Sequence, residues 1–126
     1  MPEGQMGDEL RECVSNCMSC HATCLEAAAR WLSLGNKHSS PQHQRLLHDC
    51  AEACLASAHF MLRMSTYHAS YCALCAEICK ACAEMCEQLA NGDEMTEICA
   101  AHCRRCEQSC RSMSHTVPLG SLHASG

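Results

Sequence analysis

Aromatic residues are nearly absent from this sequence: one Phe, one Trp and two Tyr among 126 residues. Conventional core formers are also scarce, since Leu, Ile, Val and Phe together fill only seventeen positions. That share lies below the usual level for a folded globular chain. There is no run of Lys or Arg, and with so few aromatics the chain has no footprint for nucleic acid. Long apolar runs are missing too, because Glu, Arg or His breaks every stretch within a few residues, which excludes a membrane-spanning helix. The first residues show no basic segment followed by an apolar one, so no secretory signal is read and a cytoplasmic location is expected.

What is present is cysteine, fifteen of them, beside abundant Ala and a modest formal charge of -5. The length suits one core rather than two. Something other than aliphatic bulk must fill that core, and cysteine is the residue present in sufficient number. In a reducing compartment structural disulfides are rare, and the odd count argues against a fully paired scaffold.

Punctuation and periodicity predict four helices. The first spans about 8–34 and stops at Gly35-Asn36. The second has Ser40 as N-cap with Pro41 at its first position and spans about 41–64. Ser65-Thr66 offers a cap for a third over about 67–90, which stops at Asn91-Gly92. Asp93 caps a fourth over about 94–113. Residues 114–126 read as a flexible tail beyond a bundle formed by 1–113. Connections this short place consecutive helices antiparallel, so the expected fold is all-α, an up-down-up-down four-helix bundle.

Every cysteine falls within these helices at spacings of three and four. Helix one carries Cys13, Cys17, Cys20 and Cys24; helix two, Cys50 and Cys54. Helix three carries Cys72, Cys75, Cys79, Cys82 and Cys86, and helix four Cys99, Cys103, Cys106 and Cys110. At about 100° per residue such spacing keeps each set on one face. Those are core positions that Leu or Ile normally occupies.

A single Cys on such a stripe is simply a small buried apolar residue. Fifteen on four stripes would leave a loosely filled core, and protein interiors are close-packed. Metal ions resolve the difficulty. Thiolates select copper(I), zinc or iron–sulfur clusters. Neighbours three or four apart converge on one ion, and thiolates of the next helix bridge onward. Zinc wants a closed tetrahedron that is hard to repeat along a continuous stripe. Charge separates the candidates further. A thiol that exchanges its proton for copper(I) leaves the core neutral, whereas zinc with four thiolates leaves two negative charges where no Lys or Arg faces inward. The expected cargo is therefore many copper(I) ions, about one per thiolate by valence. Ferredoxin-type cysteines lie two residues apart in irregular loops, which this spacing does not match.

The two ends of the bundle differ. One gathers Trp31, His43, Leu47, Leu89 and Met95 as an apolar plug. The other gathers Met6, Leu10, Met61, Met64, His68 and Met113, where neutral thioethers can pass copper(I) in and out. Met also serves as an adaptable core filler, so both roles stand open. His21, His48 and His59 fall off the cysteine stripe and read as solvated, while His102 sits at its edge.

The phrases CVSNCMSCHATC, CALCAEICKACAEMC and CAAHCRRCEQSC resemble the bacterial cytosolic copper storage proteins, a family of cysteine-rich four-helix bundles. The resemblance covers about Leu10 to Met113. It implies a homotetramer, copper(I) stored along each bundle axis, and all fifteen cysteines as ligands. Helix two departs from the pattern, with Ser57, Met61 and Met64 following Cys54 where family members are richer in cysteine. The resulting expectation is a non-enzymatic copper(I) store. The alternative is a metallothionein-like buffer for zinc or cadmium. A redox sensor would need particular cysteines beside Lys, Arg or His, and the stripes lack that arrangement.

Overall fold

Glycine and proline set the first boundaries. In the computed structural model, which describes residues 7–115, helix α1 spans Asp8–Leu34. Asp8 and Glu9 in its first turn suit the positive end of the helix dipole. It ends at Gly35, whose φ of 72° Gly adopts readily and whose N–H reaches the Trp31 carbonyl at 3.1 Å. A short 3₁₀ turn, Asn36–Ser39, leads to α2, Pro41–Leu62. Ser40 caps α2 by accepting the His43 N–H.

Helix α2 ends two residues before the expected Met64. Met64 adopts a left-handed backbone, φ 53°. Its N–H bonds to the Met61 carbonyl, and the Ser65 N–H reaches back to Phe60 at 2.9 Å. This is a Schellman closure with methionine where glycine is usual. Because Ser65 closes α2, the expected Ser65-Thr66 cap does not begin the next helix. Helix α3 starts instead at His68 and runs to Leu89, with Tyr67 at its N-cap position and no side-chain cap bond. The Ser65 hydroxyl accepts the Tyr67 N–H at 3.1 Å.

Asn91 and Gly92 both take positive φ, 41° and 84°, and turn the chain into α4, Glu94–Ser114. Asp93 caps α4 by accepting from the Thr96 N–H at 3.2 Å and from its hydroxyl at 2.7 Å. Ser114 is helical and donates to the Arg111 carbonyl. The rest of the expected tail, from residue 116, lies outside the described residues, as does Met6.

Helix α1 packs beside α2 and α4, and α3 packs beside the same two. All fifteen cysteines are fully buried along the axis between them. Ala27, Ala51, Ala58, Ala76 and Ala83 are fully buried as well. The bulkier fully buried side chains are Trp31, Leu47, Met61 and Thr96. Cys and Ala are small enough for four helices to close on a column of sulfur. Among the described residues the buried polar side chains are Thr23, Ser57 and Thr96, and no charged one is buried.

Candidate metal centre

The alternation of three and four that placed the cysteines on one face also stacks their sulfurs. All fifteen are free thiols. Cys20 and Cys24, one turn apart on α1, have sulfurs 3.9 Å apart, and Cys103 of α4 lies 3.8 and 3.9 Å from the two. Cys106 and Cys110 of α4 form the same figure with Cys17 of α1, with edges of 3.9, 3.6 and 3.5 Å. Cys75 and Cys79 of α3 form it with Cys54 of α2, with edges of 3.9, 3.9 and 3.6 Å. An ion at the centre of such a triangle sits roughly 2.1–2.3 Å from each sulfur, close to the metal–thiolate bond length of about 2.3 Å known for zinc.

Further sulfur contacts join these figures into a column. Cys54 also touches Cys106 at 3.7 Å, and Cys50 touches Cys79 at 3.8 Å and Cys103 at 4.0 Å. Four groups of four thiols, and a fifth of Cys13, Cys72 and Cys110, keep all their sulfurs within 4.8 Å of one another. Cys82, Cys86 and Cys99 stand outside those groups, although Cys99 reaches Cys24 at 3.9 Å. A core of such small residues is expected to leave voids. At these contacts the sulfurs instead pack against each other.

Close packing splits the thiols in acidity. Contact with Cys82 and Cys99, reinforced by burial, pushes the Cys86 thiol up. Cys103 is likewise pushed up by Cys20, Cys24 and Cys50 and by burial. Cys106 and Cys110 hold the Cys75 thiol below its ordinary value. Raised thiols keep their protons at neutral pH, so a metal ion must displace them.

The ends of the column are unlike. At one, Trp31 is fully buried and donates its indole N–H to the Thr96 hydroxyl at 2.9 Å. Thr96 in turn bonds Asp93, which Arg30 holds in an ion pair at 2.8 Å. Arg30 first, then Thr96, lowers the Asp93 carboxyl below its usual range. His38 and His43 stand edge-on to the Trp31 ring at 5.2 and 6.3 Å. Leu47 is fully buried there, with Leu89 and Met95 half-buried. Sequence reasoning found the apolar residues of this plug but not the Thr96–Asp93–Arg30 chain. Its one local signal is Asp93, which the sequence offers only as a helix cap.

At the other end Met61 is fully buried, Met113 is 4 % exposed, and both belong to the core. Leu10 packs against the same core. Met64 and His68 are half-buried, and His68 Nδ1 lies 3.0 Å from the Ser65 carbonyl. His21, expected to be solvated, is half-buried and its Nδ1 sits 2.8 Å from the Ala51 carbonyl of α2. His48 and His59 are exposed. His102 faces the Arg105 guanidinium at 3.4 Å.

A four-helix bundle whose axis is a column of free, mutually touching thiols defines a class of soft-metal-binding protein. The copper storage protein family matches residues 6–115, and this chain belongs to it. The Nmul_A1745 protein of Nitrosospira multiformis is 44% identical, with 84% of this chain and 94% of that one covered and a TM-score of 0.79. Cu(I)-bound copper storage protein BsCsp3 is 29% identical over 85% of this chain and 99% of its own, TM-score 0.78. A cytosolic copper storage protein from Streptomyces lividans, in a copper-loading structure with five coppers, is 27% identical over 86% and 94%, TM-score 0.80. No match was found among curated proteins.

Proposed function

We propose that this chain stores copper(I), many ions at a time, along the bundle axis through its fifteen inward cysteines. The observation that carries the reading is the set of sulfur triangles, each a one-turn pair on one helix completed by a third sulfur from another. Family membership and the copper-bound relatives support it. Among the described residues no cation is buried, so a filling that keeps the core neutral is favoured. Copper(I) exchanged for a thiol proton does this, and zinc held by four thiolates does not. The column binds and holds, and the role is storage rather than turnover.

Free thiols this close together call for a reducing compartment, and the Streptomyces lividans relative is cytosolic. No helix among the described residues is long and apolar enough to cross a membrane. We assign the protein to the cytoplasm. Family resemblance points to a homotetramer of bundles, and size measurement by light scattering tests it. The methionine end, with Met61, Met64, Met113 and His68, is the port in this reading, because neutral thioethers hold copper(I) less firmly than thiolates. The Trp31 end is closed by packing.

Metal analysis of protein purified from copper-replete and zinc-replete cells tests the function. Copper in multiple equivalents, with zinc failing to fill the column, is the expected result. Zinc as the main metal under both conditions would favour the metallothionein-like buffer instead.

A further inference from the structure

Helix α2 serves the thiol column unevenly. Its inward stripe reads Cys50, Cys54, Ser57 and Met61, all fully buried. Three of the four-thiol groups take at least one sulfur from Cys50 or Cys54. The two groups nearest the methionine end, Cys17/Cys75/Cys106/Cys110 and Cys13/Cys72/Cys110, take none from α2. Register accounts for the gap. Cys50 lies against Cys103, and Cys54 one turn on lies against Cys106 and Cys75. The next step toward the methionine end brings Cys110 on α4, Cys72 on α3 and Ser57 on α2. Ser57 therefore stands where α2 would supply the missing sulfur.

Its hydroxyl is unusual for a second reason. Ser57 Oγ is buried and has no hydrogen-bond partner, the one such side-chain atom found among the described residues. A helical serine ordinarily satisfies itself on the carbonyl four residues back. A buried donor left unmade is destabilising, so a native structure that keeps one calls for an explanation. Thiols are weak acceptors, and in the metal-free protein they offer this hydroxyl little. A thiolate carrying copper(I) keeps negative charge on sulfur and accepts a hydrogen bond strongly.

We propose that Ser57 is a positioning residue for the store. Its hydroxyl donates to copper-bound thiolates of the Cys17/Cys75/Cys106/Cys110 and Cys13/Cys72/Cys110 groups and so tightens retention at the methionine end. The hydroxyl acts through the thiolates, because a hard neutral oxygen is a poor ligand for copper(I). This role rests on the copper-storage reading above. It also gives the metal-free and loaded states opposite responses to the same change.

The test compares the full chain with Ser57→Ala, Ser57→Cys and, as control, Thr23→Val, whose native hydroxyl already donates to the Ser19 carbonyl at 2.8 Å. Each is loaded with copper(I), counted for copper per chain, stripped with a competing copper(I) chelator, and melted without metal. Ser57→Ala should hold as many ions as the parent, lose a subset of them roughly tenfold more readily, and melt higher when metal-free. Ser57→Cys should take up about one further ion. Thr23→Val should release copper like the parent. A Ser57→Ala variant that gives up its copper to the chelator as slowly as the parent, or melts lower without metal, overturns the role of Ser57 alone. A parent that takes only one or two ions overturns the storage reading and this role with it.

Discussion

Individual thiols carry the chemistry, and their contacts make single substitutions informative. Cys103 touches Cys20, Cys24 and Cys50 at 3.8–4.0 Å. Cys103→Ser nearly preserves shape, so the metal-free fold should persist by circular dichroism while capacity falls by about one ion. Mass spectrometry of the loaded protein reads that loss. Proton bookkeeping gives a second test. Cys86 and Cys103 are held protonated, Cys86 by Cys82, Cys99 and burial, Cys103 by Cys20, Cys24, Cys50 and burial. Loading at these two positions should therefore release about one proton per thiol engaged, and falling pH should favour copper loss there. A pH-stat recording uptake without proton release would contradict neutral filling. Residues such as Cys13 or Cys99 were legible one by one, because spacing alone fixes a helix face. His21 was not: its bond to Ala51 depends on where α2 lies, which the periodicity of α1 does not contain.

At the scale of elements, helix ends decide the details. The starts of α2 and α4 follow from Ser40-Pro41 and Asp93, local signals with local partners. The end of α2 does not, since nothing local announces that a methionine will take the left-handed position normally given to glycine. That conformation costs about 1 kcal/mol or somewhat more for a residue with a Cβ. Met64→Gly should accordingly raise metal-free stability by about 1 kcal/mol in urea unfolding, with the copper count unchanged. At the opposite end, Trp31 joins α1 to α4 through Thr96 and Asp93. Trp31→Phe removes the indole N–H and part of the packed volume, and should cost about 2 kcal/mol without changing capacity. The apolar plug was readable from sequence. The polar chain behind it was not, because Arg30 and Asp93 meet only across the folded bundle.

Across the whole molecule, the column of thiols is closed by the packing around Trp31 at one end and meets Met61, Met64, Met113 and His68 at the other. Replacing Met61, Met64 and Met113 together with Leu roughly keeps volume, a change cores usually accept for less than about 1.5 kcal/mol. Chelator removal of copper should slow while capacity stays the same, and Leu89→Met at the plugged end should leave the rate alone. Equal rates in the triple variant and the parent would make those methionines packing residues. The central claim is more basic: a preformed bundle fills with copper(I) through thiols already in contact. Titration of the reduced, metal-free protein with copper(I) against a competing chelator, followed at the same time by circular dichroism, tests it directly. The expected result is full helicity before the first ion and uptake that continues to on the order of one copper(I) per thiol. Saturation at one or two ions, or a chain that folds only when metal arrives, would contradict it.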